Sequence, residues 1–176
     1  MKNYLLTATL LTVATLSSTS ILADTTHGNR YAGVNLGFFD VDGNGTSDGS
    51  VNTIEGRVGG FFNDYIAAEM RAGAGITGDT VIASGSEIDI DLNYLLGGYV
   101  RVGFPVHDQI FPYLLAGYTR AEFEVGSDST AVTDSSIGIG IDANIANMSL
   151  SAEYINLIDK SLSGLSGFSI GFVTTF

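Results

Sequence analysis

The sequence contains no cysteine and no tryptophan, only two prolines, and few cationic side chains. Without cysteine it cannot form disulfides, a thiolate metal site or a cysteine-linked lipid anchor. Seven Lys+Arg against nineteen Asp+Glu give a formal net charge of -12, which argues against any protein that holds nucleic acid through phosphate contacts. Charged residues make up only 15% of the 176 residues, whereas 45% are hydrophobic. That balance is unusual for a water-soluble domain and indicates contact with lipid.

The first 23 residues have the pattern of a secretory signal peptide. Lys2 supplies the positive start, Leu5 to Leu16 form a short apolar run, and Ala23 is the predicted cleavage position to within a residue or two. A single spanning helix is the alternative, but the run is too short and too rich in threonine. Residues 24–176 then form the mature chain, in which no segment has the roughly 18 continuous apolar residues that a spanning helix requires. The remaining choices are a secreted β protein and a membrane barrel.

Alternation of apolar and polar residues recurs eight times along the mature chain, which predicts an all-β fold. The clearest segment sets Leu92 and Val100 on one face and Asp91 and Arg101 on the other. Each segment is about ten residues or longer, the length that a tilted strand needs to cross a bilayer. The orientation of the fifth segment stays open, because both of its faces are apolar. The predicted strands are Arg30–Asp40, Val51–Phe62, Tyr65–Ile76, Ile88–Phe104, Phe111–Val125, Ser135–Ile145, Met148–Leu157 and Gly167–Phe176.

The connections between these segments alternate between short and long. Short turns are predicted at Asn63-Asp64, Pro105–Gln109 and Ala146-Asn147, and longer polar loops near Val41–Ser50, Thr77–Glu87, Gly126–Thr133 and Asp159–Ser166. This alternation is typical of an eight-stranded antiparallel up-and-down transmembrane barrel with both chain ends on the short-turn, periplasmic side. Aromatic residues near the short turns predict an interfacial girdle. They are Phe61, Phe62, Tyr65, Phe104, Phe111, Tyr113 and Phe176.

The polar face of the strands is rich in glycine and carries charges of both signs. In a soluble barrel that face would meet water and hold many Lys, Glu and Thr residues. The interior of an eight-stranded barrel is narrow, so buried ions there must pair. We therefore predict an interior charge network of Glu55, Arg57, Glu69, Arg71, Arg101, Asp142 and Glu153.

These charges also predict a register for the second and third strands. If paired residue numbers sum to 126, Arg57 faces Glu69 and Glu55 faces Arg71, whereas a sum of 128 sets Arg57 against Arg71. Like charges directly opposite each other are destabilising, so we expect the sum of 126. We also expect an odd-length turn or a bulge at Asn63-Asp64, because a strict two-residue turn would put the charged face of one strand opposite the lipid face of the other.

The mature chain resembles the small outer-membrane β-barrel family that includes the OmpA transmembrane domain, OmpX-type and opacity-like proteins. The residues that carry the resemblance are Arg30-Tyr31-Ala32-Gly33-Val34, Ala68-Glu69-Met70-Arg71, Pro112–Tyr118, Ala152-Glu153-Tyr154 and the terminal Phe176. The resemblance implies a monomer in outer-membrane lipid, and a C-terminal strand read by the barrel-assembly machinery. Ser169, Gly171 and Phe176 fit that assembly signal, whereas Thr174 stands where a larger hydrophobe is usual. A wall-binding domain of the OmpA type is not expected.

The sequence offers three candidate site chemistries. A lipid-modifying enzyme would need a base beside a serine at the outer rim, but the only histidines, His27 and His107, are predicted on the inner side. A narrow channel conflicts with paired Glu and Arg residues in so small a lumen. Asp40, Asp42, Asn44 and Asp48 have the spacing of a calcium-binding loop, although Val51 stands where the bidentate glutamate belongs. A polar hairpin loop is the plainer interpretation.

The sequence therefore favours a non-catalytic, cofactor-free surface protein. Four acidic loops rich in Asp, Ser, Thr and Gly would face the medium and either bind an extracellular ligand or contribute to envelope integrity. These two roles stay open, because the loops contain no recognisable binding motif. Their acidity makes polyanionic ligands poor candidates without bridging cations.

Overall fold

The computed structural model describes residues 30–43, 49–77, 79–83, 86–106, 109–125, 128–145, 148–160 and 163–176. These residues are almost entirely β-strand. Among them no helix is long and apolar enough to cross a membrane. The strands are β1 (Arg30–Gly43), β2 (Gly49–Phe61), β3 (Ile66–Thr77), β4 (Asp79–Ala83), β5 (Ser86–Gly103), β6 (Ile110–Val125), β7 (Asp128–Ile145), β8 (Met148–Lys160) and β9 (Ser163–Thr175).

Eight of the strands close into an antiparallel barrel, as the alternation pattern predicts. The order is β3-β2-β1-β9-β8-β7-β6-β5, and β3 pairs with β5 to close the ring. The short β4 pairs with the beginning of β5 on the loop side of the barrel. Apart from the β1–β9 seam and the β3–β5 closure, each strand pairs with its neighbour in sequence, so the fold is an up-and-down barrel.

The outer surface of the barrel is apolar. Large hydrophobic side chains point outward on every one of the eight barrel strands and are about half exposed, among them Val34, Ile54, Met70 and Ile139. Their alternation with inward-facing residues confirms the predicted faces of β1, β2, β3 and β7. A continuous exposed apolar belt of this kind is stable only against lipid.

Strand β5 departs from the predicted pattern at its loop end. A β-bulge between Leu92 and Tyr94 shifts the register and reverses which residues face the lumen. Leu92 was expected on the lipid side but is buried inside, whereas Asp91 is exposed. Strand β6, which the alternation left open, directs Phe111, Tyr113 and Leu115 inward.

The predicted long loops are wrong in extent, because the strands continue past them. The segment predicted as a loop at Gly126–Thr133 is mostly strand, since Val125 pairs with Asp128 and the ladder runs on without interruption. The segment Thr77–Glu87 contains β4, which forms a hairpin with the start of β5. The serine, threonine and valine residues of these segments are compatible with β-strand. Continued strand pairing also satisfies backbone N–H and C=O groups that in a loop would have to bind water.

The aromatic girdle is confirmed for only part of its predicted members. Phe62, Tyr65, Phe104 and Phe176 are exposed at the short-turn end. Phe61, Phe111 and Tyr113 instead point into the lumen, where the rings of Phe61 and Phe111 meet edge to face. A second outward group of Phe38, Tyr118, Tyr154 and Phe168 lies towards the loop end, so both edges of the apolar belt carry aromatics.

Candidate functional site

The structure places all seven predicted charged residues inside the barrel. Every one is at least nine-tenths buried, and they come from β2, β3, β5, β7 and β8, which line opposite walls of the lumen. We call this group the charged layer. Burial of so many ions is costly unless each is paired and hydrogen-bonded, so their geometry decides whether the layer is stable.

Glu153 is the central acceptor of the charged layer. Arg71 donates to it through both terminal nitrogens, at 2.6 Å to Oε2 and 2.8 Å to Oε1, and Arg57 Nη1 donates to Oε1 at 2.9 Å. Tyr113 donates its hydroxyl to the same carboxylate. The bidentate contact with Arg71 fixes both groups in one plane, which is the strongest arrangement available to such a pair.

Glu69 and Asp142 complete the pairing. Arg71 Nε lies 2.5 Å from Glu69 Oε1, and Tyr31 donates its hydroxyl to Glu69 Oε2 at 2.8 Å. Arg101 joins the two carboxylates, at 2.5 Å from Asp142 and 3.4 Å from Glu69. Within 4.0 Å, Arg71 and Arg101 each contact two carboxylates and Arg57 contacts three, so the layer is a network rather than a set of isolated pairs.

The predicted register of β2 and β3 is wrong. Paired residues sum to 128, so Arg57 lies directly opposite Arg71, and Glu55 and Glu69 lie opposite Gly73 and Gly59. The repulsion is relieved because Glu153 crosses the lumen from β8 and binds both arginines. The odd-length turn is confirmed, since Phe62 N donates to Ile66 O across three residues.

Glu55 is set apart from the other carboxylates. It accepts a hydrogen bond from the Thr53 hydroxyl at 2.9 Å, and no described cation lies within 4.0 Å of it. Its expected contact with Arg71 is absent because the register places Gly73 opposite it. The layer as described thus contains four carboxylates and three guanidinium groups.

Three inward tyrosines belong to the site and were not predicted from the sequence. Each faces an inward glycine on the neighbouring strand: Tyr31 opposite Gly59, Tyr99 opposite Gly117 and Tyr113 opposite Gly140. The missing side chain leaves room for the ring, which then covers an arginine, as where Arg101 lies 3.7 Å from the ring centre of Tyr113. Glycine opposite tyrosine on the polar face is the signal that would have identified them.

The loop-side half of the lumen is filled by apolar side chains. We call this group the apolar plug. Its members come from β1, β2, β5, β6, β8 and β9 and are almost completely buried. The described side chains of the plug pack against one another across the lumen. The plug consists of Phe39, Val51, Leu92, Leu95, Ala121, Phe123, Leu157, Ile158 and Leu165.

The residues of the predicted assembly signal occupy different positions in β9. Ser169 faces the lumen and accepts a hydrogen bond from Asn35 at 3.3 Å, and Gly171 lies opposite Asn35. Phe176 is exposed at the short-turn end, where its N–H donates to the Arg30 carbonyl at 2.9 Å and joins the last residue to the start of β1. Recognition of these residues by assembly machinery stays a prediction.

The predicted calcium loop and histidines fall largely outside the described residues. Asp40 is exposed, but Asn44 and Asp48 lie in the undescribed segment 44–48. Asp42 belongs to β1, and its side chain is not described. His27, His107 and the predicted signal peptide are also outside the described ranges. In the part of the chain that is described, no group of three His, Asp or Glu side chains is arranged to hold a metal ion.

Comparison with known proteins identifies the family of this barrel. The family model for the outer membrane protein beta-barrel domain matches residues 8–176. The chain is similar in structure to Ail, the attachment invasion locus protein of Yersinia pestis, solved with the heparin analogue sucrose octasulfate (TM-score 0.61, 16% identity, 86% of this chain and 100% of that one).

Two further solved structures share the fold. Neisserial surface protein A gives a TM-score of 0.58 at 14% identity, covering 86% of this chain and 100% of that one. The N-terminal barrel of Pseudomonas aeruginosa OprF gives 0.50 at 16% identity, covering 83% and 98%. No curated protein matches the chain. With 169 of its 176 residues matched by the family model, the chain belongs to the family of outer membrane proteins with a β-barrel domain.

Proposed function

We propose that the barrel is a non-catalytic anchor that displays its loop end on the cell surface and binds an extracellular ligand there. The observation that carries this proposal is the filling of the lumen by two successive layers, one of paired charges and one of apolar side chains. A lumen filled in this way supports neither conduction nor substrate entry. The loop end is then the part of the molecule left to contact other molecules in the medium.

The charge of the loop end supports a cationic or neutral ligand. Asp40, Asp91 and Glu124 are exposed on the loop side of the barrel, and Asp91 lies directly opposite Glu124. Ail was solved with a sulfated heparin analogue. We do not extend that ligand chemistry to this chain, because acidic groups repel a polyanion and the identity to Ail is only 16%.

The test is adhesion of cells that express the chain to surfaces of defined charge. The variant replaces by asparagine four acidic residues of the segments predicted as loops, Asp42, Asp48, Asp128 and Asp159. The control replaces Asp64, which is exposed at the short-turn end. We expect wild-type and D64N cells to adhere better to amine-coated than to heparin-coated surfaces, and the loop variant to lose that preference. Equal adhesion of all three at equal surface levels would refute ligand binding and leave the envelope-structural role.

The narrow channel is tested separately. The purified barrel should give no stepwise conductance in planar bilayers, because Leu157 and Leu165 close the lumen above the charged layer. Stable conductance steps from the folded protein would replace the proposed function with a porin-like one.

A further inference from the structure

A groove lies on the lipid-facing wall of the barrel. It has a volume of about 780 Å³ and crosses β5, β6 and β7 on the outer surface. Its floor is shallow because outward positions on the three strands carry small residues, namely Gly98, Ala116 and Ser135. Larger outward side chains bound it, including Val100, Tyr118 and Ile137. An extended acyl chain fits a shallow apolar groove of this shape.

A cation lies at the end of this groove nearest the loops. Arg120 follows Tyr118 by two residues on the same outward face of β6, which places it about 7 Å further towards the loops. Its side chain is exposed, and Nε donates to the Tyr94 hydroxyl at 3.2 Å. Among the described residues no carboxylate lies within 4.0 Å of the guanidinium. The two terminal nitrogens are therefore available to an anion.

The surroundings of Arg120 indicate from which side that anion comes. Towards the loops the same face continues with Glu122 and Glu124, and Asp91 lies opposite Glu124. These carboxylates repel a free anion approaching from the medium. A phosphate held at the membrane surface reaches Arg120 from the lipid side instead, where the outward residues are apolar.

A polar group also lies at the edge of the groove. Asn156 on β8 lines it, and its Oδ1 atom has no hydrogen-bond partner in the described part of the chain. A buried amide oxygen without a donor is unfavourable, and more so next to hydrocarbon.

We propose that this groove binds one phosphate-bearing lipid of the outer leaflet, with the phosphate on Arg120 and an acyl chain lying over Gly98 and Ala116. Arginine binds phosphate through two parallel hydrogen bonds, which a headgroup without phosphate cannot accept in the same way. The site belongs to the wall of the barrel and does not depend on what the loops bind. It would fix the barrel's height and rotation relative to its lipid neighbours.

Native mass spectrometry of the folded barrel in dodecyl maltoside tests this proposal. The probes are dioleoyl phosphatidic acid, dioleoylglycerol with the same chains, and inorganic phosphate. We expect wild type to retain one phosphatidic acid and R120Q to retain it about fivefold less well, the factor expected from one arginine near an anionic headgroup. Dioleoylglycerol should bind weakly to both, and inorganic phosphate should not displace the lipid.

The groove itself is tested with a substitution that fills it. A side chain added at Gly98 meets open space, so G98F should leave the fold intact while blocking the acyl chain. Gly56, an outward glycine on β2 outside the groove, provides the matched control G56F, and Arg30 at the short-turn end provides R30Q. We expect G98F to lose the lipid and both controls to keep it.

Two outcomes would overturn the proposal. Equal retention of phosphatidic acid by wild type and R120Q would show that the phosphate is not recognised there. Retention by G98F equal to that of G56F would show that the lipid binds elsewhere on the apolar belt. Heat-modifiable gel migration of each variant establishes that the barrel is folded, and the loop variant D42N/D48N/D128N/D159N should still bind the lipid, which separates this site from the proposed adhesive function.

Discussion

The two halves of the lumen are filled by opposite chemistry. The half towards the short turns and the middle of the barrel holds the charged layer, in which Glu153 joins Arg57 and Arg71. The half towards the loops holds the apolar plug, in which Leu157 and Leu165 are about 1% exposed. The side chains of both halves are buried, but ion pairs depend on every partner being present, whereas apolar packing depends on volume.

The two layers therefore have different roles: the charged layer selects the strand register, and the apolar plug closes the lumen. A charged layer penalises any register that leaves an ion without its partner, so it selects one arrangement of the strands. The apolar plug accepts many arrangements of similar volume but closes the lumen in all of them. We infer that the charged layer fixes the barrel's register and that the apolar plug makes it impermeable.

The largest effect is expected from removing the central carboxylate. Glu153→Leu removes the carboxylate that hydrogen-bonds both Arg57 and Arg71 and leaves the two facing arginines with Glu69 as their shared partner, which should lower the free energy of unfolding by about 3–5 kcal/mol. Because the chain has no tryptophan, urea unfolding in lipid vesicles is best followed by circular dichroism and gel mobility. The control Glu124→Gln, exposed at the loop end, should change stability by no more than about 0.5 kcal/mol.

A double variant tests whether the penalty arises from unpaired charge. Replacing Arg57 together with Glu153 by leucine should restore part of the lost stability, because fewer ions are then left without partners. If the double variant is as unstable as the sum of the two single variants, the charged layer does not act as a network.

The next effect is expected in the apolar plug. Leu157→Ala removes buried methyl groups from the plug and should cost about 2–4 kcal/mol in the same unfolding assay. Ile139→Ala on the lipid face is the matched control and should cost less, since lipid chains fill the space that the side chain leaves. The variant should stay non-conducting in planar bilayers because the charged layer beneath it is intact. A larger loss from Ile139→Ala would contradict the assignment of inside and outside.

The fold was predictable from the sequence because alternation along each strand reports which face meets lipid. The interior membership of Arg57, Glu69 and Glu153 followed from the same pattern. The ion pairs that these residues form could not be predicted in this way. Glu153 reaches its arginines across the lumen, and a comparison of β2 with β3 alone does not include β8. The predicted orientation of Leu92 is wrong for a different reason. One extra residue in a bulge reverses the alternation of faces, and the sequence does not indicate where that bulge lies.

A smaller effect is expected where glycine makes room for tyrosine. A side chain at Gly140 would lie 2.5 Å from Tyr113 Cζ, so Gly140→Ala should displace the ring that covers Arg101 and cost about 1–2 kcal/mol. At Gly98 an added Cβ meets open space, so Gly98→Ala should be neutral or slightly stabilising. Unfolding free energies of the two variants give the comparison. Equal values would mean that the glycines reflect strand flexibility and not space for the rings.

The smallest effect on stability is expected at the chain end, which lies outside both layers of the lumen. Phe176 is exposed and its only described backbone contact is the N–H bond to Arg30, which Phe176→Ala preserves, so the free energy of unfolding should fall by less than about 1 kcal/mol. If Phe176 is part of an assembly signal, the amount of folded barrel in the outer membrane of expressing cells should nevertheless drop several-fold, while refolding of the purified chain into vesicles is unchanged. Phe172→Ala, an outward aromatic of the same strand, is the control and should reduce surface levels less. If refolding and surface level fall together, Phe176 acts through stability, as residues of the two lumen layers do. That outcome would contradict a separate role of the chain end in assembly.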